Sequence, residues 1–257
     1  MISAPDSALV HEVRSSPNFG ERRGGLRPSI LLLHYTGVET AAKAIEWLTT
    51  RESNVSCHYA IDEIGRITQM VTEDTRAWHA GDSFWAGESD INSVSIGIEI
   101  HNPGHEWGYA EFPEVQMQAV EALSLDIVTR HGIRPERVLA HSDVAPRRKQ
   151  DPGEKFSWSR LERAGIGHWV EPVPVNAAEP GLAPGVAGPL VADVQALFAT
   201  YGYGIEATGL VDAQTEFVAK AFQRHFRPAR IDGRIDQSTI STLQRLIAAI
   251  PQEPLVA

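Results

Sequence analysis

One cysteine in 257 residues, Cys57, excludes an internal disulfide and any metal cluster built on thiolates. A lone thiol of this kind is expected to be buried and inert. Cations are also few: 23 Lys and Arg stand against 33 Asp and Glu, a formal charge of -10. Nucleic-acid binding needs clustered Lys and Arg to meet phosphates, and the basic run Arg147-Arg148-Lys149 is too short to form such a footprint. No apolar run approaches the length of a membrane span. Met1-Ile2-Ser3-Ala4-Pro5-Asp6 has no basic segment leading into an apolar one, and there is no lipobox cysteine, so the sequence as written predicts a cytoplasmic protein. A trimmed chain or an unusual export route would instead place it in the cell envelope. Two hydrolase signatures are missing as well. His11-Glu12 and His105-Glu106 begin like H-E-x-x-H but lack histidine at the fifth position, and no G-x-S-x-G occurs.

What is present is an ordinary hydrophobic content of 42% in a chain long enough for one large domain or two unequal ones. Ser15 to Gly25 is a turn-rich lead-in, and Ser29 to His34 reads as a buried strand. Thr40 to Thr49 has helical spacing with Thr40 as its cap. Cys57 to Asp62 and Arg66 to Val71 read as a hairpin turning at Glu63-Ile64-Gly65. Ala77 to Gly87, rich in glycine and aromatics, suits a loop lining a cleft; Trp78 and Trp85 are either ligand-facing there or core aromatics. Ser93 to His101 alternates clearly, with Ile96, Ile98 and Ile100 on one face and Ser95, Gly97, Glu99 and His101 on the other. Pro113 to His131 predicts a long helix burying Val115, Ala119, Ala122, Leu123 and Ile127 and stopped by Gly132. A short strand over Arg137 to His141 and a helix over Trp158 to Ala164 follow. Strands alternating with helices predict an α/β domain over residues 1–169, a mixed central sheet flanked by helices.

Residues 170–188 hold four prolines and little periodicity, which predicts a semi-extended linker. Beyond it, Thr208-Gly209-Leu210-Val211-Asp212-Ala213-Gln214-Thr215 is echoed by Asp232-Gly233-Arg234-Ile235-Asp236-Gln237-Ser238-Thr239. Each copy reads as a turn, an apolar plug, an Asp cap and a helix. With Leu190 to Tyr201 this predicts a small all-α domain of three helices over 189–250, its core built from Val194, Leu197, Phe198, Phe217, Phe222, Ile240, Leu243 and Ile247.

Candidate chemistry concentrates in Ala140 to Gly153. His141 ends a short apolar run, a basic loop follows, and Asp151-Pro152-Gly153 makes a turn that can return Asp151 to the side of His141. One imidazole and one carboxylate are two-thirds of a catalytic zinc site, which takes three protein ligands. His34, at the end of Ile30-Leu31-Leu32-Leu33, is the candidate third. Two imidazoles and one carboxylate leave a zinc centre with net positive charge, which brings the pKa of water towards neutrality and polarises a carbonyl. Glu99 is then placed to move a proton, and Lys149 to stabilise an oxyanion. Taken singly, each has an ordinary reading: a structural histidine, a glutamate at a solvated edge, a surface cation. The argument rests on their combination.

Leu33-His34-Tyr35-Thr36, Trp78-His79-Ala80-Gly81, Ser95-Ile96-Gly97-Ile98-Glu99, His141-Ser142-Asp143 and Lys149-Gln150-Asp151-Pro152-Gly153 follow in that order within about residues 15 to 169. Together they resemble the motifs of the zinc N-acetylmuramoyl-L-alanine amidases of the AmpD and AmiD type, relatives of the peptidoglycan-recognition proteins. The resemblance implies one Zn2+ on His34, His141 and Asp151, with Glu99 as catalytic acid/base and Lys149 supporting the transition state. It also implies substrate contacts at Tyr35, Trp78, His79 and Asn92. The family cleaves the amide between the lactyl group of N-acetylmuramic acid, or its 1,6-anhydro form, and the L-alanine of the stem peptide, in peptidoglycan turnover and recycling. The expected partners are peptidoglycan or soluble muropeptides, and the chain is expected to be a monomer. The alternative is a non-catalytic muropeptide sensor of the same fold, but zinc-less recognition proteins lose a ligand and here all three positions are filled. The C-terminal unit is similar to the three-helix peptidoglycan-binding domain of wall hydrolases, which implies tethering to substrate, with a purely structural appendage as the other reading.

Overall fold

The structure is a computed structural model that describes residue 2 and residues 4–250; Met1 and Ser3, within the stretch read for an export signal, lie outside the described residues. The strands are β1 (Glu12–Val13), β2 (Phe19–Glu21), β3 (Ile30–Tyr35), β4 (Tyr59–Ile61), β5 (Ile67–Gln69), β6 (Thr75–Ala77), β7 (Ser95–Ile100) and β8 (Val138–Ala140). The helices are α1 (Ala41–Thr49), α2 (Ile91–Val94), α3 (Glu114–His131), α4 (His141–Val144), α5 (Trp158–Arg163), α6 (Pro189–Tyr201), α7 (Ala213–Phe226) and α8 (Gln237–Ala249). Six strands form the mixed sheet in the order β1-β5-β4-β7-β3-β8, and β2 pairs with β6 in a separate two-stranded ribbon. That ribbon lies partly in the lead-in read as turns; its pairing joins residues 54 to 58 positions apart, from Glu21 with Thr75 to Phe19 with Ala77, and leaves no local signature.

The centre of the sheet is parallel: β3 lies between β7 and β8, and β4 flanks β7. A parallel sheet must be covered on both faces, which is why Ile30, Leu31, Leu32 and Leu33 are all fully buried. On one face Leu31, Leu33, Ile96, Ile98 and Ile100 pack against Met117, Val120, Leu123 and Ile127 of α3 and Leu161 of α5. On the other, Ile30, Leu32 and Leu139 share a continuous core with Trp85 and with Val194, Phe198, Phe222 and Leu243 of the C-terminal helices. Ala60 on β4 packs with Leu48 of α1, Cys57 and Met70. Leu48 of this small cluster also lines the cleft described below.

Several local expectations meet the structure closely. Thr40 caps α1 by accepting from Lys43 N–H. Gly132 ends α3 at φ 62°, in the left-handed region that spares glycine any Cβ clash. Asp212 and Asp236 cap α7 and α8 through Thr215 and Thr239. The buried face of α3 differs: Val115 is exposed, as is Ala122, and Gln116 is buried in their place. Gln116 Nε2 donates to the carbonyls of His101 at 2.8 Å and Ile61 at 3.3 Å, which draws this polar side chain inside even though its Oε1 is buried without a partner. Phe217 is likewise only half-buried, and Val218, Ala219 and Phe226 fill the core of α7 instead.

The segment 170–188 is extended but does not hang free. Val173 N–H donates to Thr242 Oγ1 at 3.1 Å, Ser238 Oγ donates to Val173 O at 2.6 Å, and isolated bridges pair Leu182 with Ile235 and Ala187 with Leu210. The C-terminal helices therefore cover one face of the sheet as a layer. A mobile tether would leave Ile30, Leu32 and Trp85 in water.

Candidate active site

Sheet register brings the first pair together. Leu33 is opposite Ile98 and Ala140, and His34 is opposite Glu99, all at the carboxyl ends of parallel strands where α/β sheets place their ligands. His141 follows Ala140 directly, but it opens helix α4 and does not continue the strand as expected. Asp151 returns because Ser142 N–H donates to Asp151 O at 3.0 Å across the basic loop. The result is three converging donor atoms: His34 Nδ1 and His141 Nδ1 are 2.8 Å apart, and Asp151 Oδ2 is 2.9 Å from the second and 3.2 Å from the first. All three side chains are buried.

Protons can be assigned around this cluster from groups that cannot donate. Ser95 Oγ lies 2.6 Å from the Ile91 carbonyl, so its hydroxyl donates there and it accepts from His79 Nε2–H at 3.3 Å. His79 Nδ1 is then an acceptor, which requires His34 Nε2–H to donate to it at 3.0 Å. His141 Nε2–H donates to Ala80 O at 3.1 Å. When both rings are neutral, each Nδ1 is left as a lone pair facing a carboxylate oxygen. Three acceptors at this spacing repel unless a cation lies among them, and the separations approach the roughly 3.3 Å ligand spacing of a tetrahedral site with bonds of about 2.0–2.1 Å. The donor set fits a borderline divalent metal.

The electrostatics agree. Burial, reinforced by His141, lowers His34 to about 4, so it is a neutral imidazole at physiological pH. Burial pushes the Asp151 carboxyl up, but the charge and N–H bonds that His141 and His34 offer when protonated outweigh it and hold the group well below the usual range; a metal cation in the place of those protons acts in the same direction. A second trio, His34, Cys57 and His79, also has its donor atoms within 4.8 Å of one another. It requires a thiolate, which burial and the Glu99 charge oppose by pushing Cys57 up.

Glu99 and Lys149 line the same cavity of about 440 Å³ as His34, His141 and Asp151. One carboxylate oxygen of Glu99 is buried without a hydrogen-bond partner, and unlike the partnerless core atoms of Gln116 and Ser124 it belongs to a residue that lines the cavity. Tyr35, Trp78 and His79 are also on the wall, together with Trp47 and His105. Asn92 is behind it: its side-chain oxygen accepts His79 N–H at 3.0 Å and Ala80 N–H at 2.8 Å, holding the loop that carries His141's carbonyl partner. Trp85 is buried in the core and Trp78 faces the cavity, so the two loop tryptophans divide between the two readings.

The sequence reading missed Ser95 and His105. Ser95 was visible as a member of the Glu99 face of β7. His105 drew notice as a failed metalloprotease motif, yet its Nε2 donates to Glu154 at 3.2 Å and its Nδ1 accepts the Tyr35 hydroxyl at 3.0 Å. Gly97 shares that face of β7, and a Cβ there would meet His79 Nδ1 at 2.6 Å and Cys57 Sγ at 2.7 Å. Gly97→Ala is therefore expected to displace His79 and destabilise the fold by about 1–3 kcal/mol. Thermal melting checks this, and an unchanged melting temperature would mean the packing there is looser than the geometry says.

Residues 24–154 match the family model described as N-acetylmuramoyl-L-alanine amidase. The chain belongs to this family. Residues 187–243 match a second model, described as "Putative peptidoglycan binding domain". The amidase is 36% identical over 240 residues to the N-acetylmuramoyl-L-alanine amidase AmiD of Escherichia coli K12, a match covering 88% of this chain and 85% of AmiD. It is 30% identical over 175 residues to the 1,6-anhydro-N-acetylmuramyl-L-alanine amidase AmpD of Citrobacter freundii, covering 61% of this chain and 91% of that one. Among solved structures, E. coli AmiD in complex with the substrate anhydro-N-acetylmuramic acid-L-Ala-D-gamma-Glu-L-Lys superposes with a TM-score of 0.73 at 34% identity, covering 91% and 92% of the two chains. AmpDh3 of Pseudomonas aeruginosa in complex with anhydromuramic pentapeptide gives 0.72 at 31%, covering 93% and 96%. No helix among the described residues is long and apolar enough to cross a membrane.

Proposed function

We propose that this amidase hydrolyses the bond between the lactyl carbonyl of N-acetylmuramic acid, including its 1,6-anhydro form, and L-alanine, with one zinc ion on His34 Nδ1, His141 Nδ1 and Asp151 Oδ2. The observation that carries the reading is the partnerless, buried Glu99 oxygen in the cavity onto which three acceptors converge. Bound there, zinc supplies a Lewis acid for the amide carbonyl and makes water a competent nucleophile near neutral pH. Glu99 takes a proton from the attacking water and delivers it to the alanine nitrogen as the C–N bond breaks, so a carboxylate and a free amine leave. The Lys149 ammonium offsets charge that grows on the carbonyl oxygen. Tyr35 and Trp78 provide flat walls for the sugar, and the Tyr35 hydroxyl is held by His105. His79 and Asn92 act by fixing the first ring and the loop behind the second.

The test is digestion of a 1,6-anhydro-muropeptide and of purified sacculi side by side, with mass detection of free sugar and peptide. Release of peptide with an L-alanine N-terminus from the anhydro substrate is expected. Binding without product in the zinc-loaded protein would instead identify a sensor.

A further inference from the structure

Asp143 is fully buried two positions after His141, and its carboxylate is held from two distant parts of the chain. Oδ2 accepts Ala140 N–H at 2.8 Å and His225 Nδ1–H at 2.7 Å, and Oδ1 accepts the Tyr203 hydroxyl at 2.7 Å. The first bond closes the turn of α4 back onto the residue before His141, which fixes the backbone that carries that ring. The other two come from the C-terminal helical unit. The preceding residue of α7, Arg224, donates to Gln150 Oε1 at 2.9 Å, beside Asp151. Two consecutive side chains of one helix thus hold the two segments that deliver His141 and Asp151 to the cavity.

The contact is locked by packing. The His225 ring is stacked between Trp158 and Phe226, with centroids 3.7 Å away on each side, and Trp85 meets Tyr203 at 4.9 Å. A buried carboxylate needs such donors, because an unpaired charge away from water is strongly unfavourable. A module whose task was tethering alone would require none of these bonds.

We infer that the C-terminal helical unit is a structural part of the catalytic centre, with Tyr203 and His225 as positioning residues that hold His141 through Asp143. This rests on the reading of His34, His141 and Asp151 as the zinc ligands. Full-length Tyr203→Phe, His225→Leu, His225→Asn and Leu246→Ala are compared for zinc dissociation constant by chelator competition, well below each melting temperature, and for thermal stability. Leu246 is buried in α8 and serves as the control for destabilisation of the helical unit alone. Tyr203→Phe and His225→Leu are expected to weaken zinc binding by about 10–100-fold, the range for partners that orient a ligand. His225→Asn, whose amide N–H stands in for Nδ1–H, should recover most of the loss, and Leu246→Ala should lower the melting temperature with zinc affinity unchanged. Wild-type zinc affinity in Tyr203→Phe and His225→Leu, or an equal loss in Leu246→Ala, overturns the inference while leaving the ligand assignment standing. If the wild-type protein itself takes up no zinc, the ligand assignment fails and this inference with it.

Discussion

Glu99→Gln is expected to retain one zinc per chain and to lose about 10²–10⁴-fold in kcat, the range for a positioned general acid–base. The substitution keeps the shape of the side chain and removes its ability to carry a proton between water and the alanine nitrogen. The environment of Glu99 sets the pH dependence. Burial first, and the Asp151 charge second, push its carboxyl up to about 8, with Lys149 acting in the opposite direction. A bound cation lowers it further, so in the loaded enzyme the value lies between the usual glutamate range and about 8. A base works only when ionised, hence kcat/KM should fall as pH drops through that value, and this acid limb should vanish from the residual rate of Glu99→Gln. A variant that keeps wild-type turnover with the same pH profile would remove Glu99 from the chemistry.

Chelation of the metal is expected to bring hydrolysis to background, with zinc alone restoring it, and to lower the melting temperature. The stability effect follows from mass action: a ligand at a hundredfold excess over its dissociation constant adds about 2.7 kcal/mol to the folded state. In a chain of this size that corresponds to a shift of about 5–10 °C. The structural cause is the cluster itself, in which two Nδ1 atoms and a carboxylate oxygen stand 2.8–3.2 Å apart while both Nε2 atoms are already hydrogen-bonded to His79 and Ala80. Asp151→Asn, which keeps the volume but removes the charge, should behave as the chelated protein does. Normal turnover after chelation, or the same melting curve with chelator as with excess zinc, would contradict this reading of the cluster.

The parts of this molecule that could be read without coordinates are those whose causes act over a few residues. The period-two alternation over 93–101 assigns Glu99 to the face opposite the isoleucines, and the structure has Ile96, Ile98 and Ile100 in the core against α3. The Asp caps of α7 and α8 depend on a side chain meeting a backbone N–H three residues on, so the repeated motif was enough to show them. The phase of α3 was not legible, because Gln116 is buried by acceptors on His101 and Ile61, 15 and 55 positions away. The position of Asn92 was not legible for the same reason. Its polar side chain suits a substrate contact as well as a loop anchor, and only the coordinates show its oxygen holding the N–H groups of His79 and Ala80.

By itself, then, the amino-acid order determined the mixed sheet, the three C-terminal helices and which residue types were available for a metal and a proton carrier. Only the tertiary structure decided that His34 and His141, 107 positions apart, point the same nitrogen at one carboxylate, and that a buried Asp143 ties that cluster to Tyr203 and His225. The physical reason is range. Propensity, capping and periodicity are settled within a turn or a strand, whereas sheet register and the docking of one layer on another are set by the burial of the whole apolar surface. Ligand geometry and the donors to a buried charge follow from that docking.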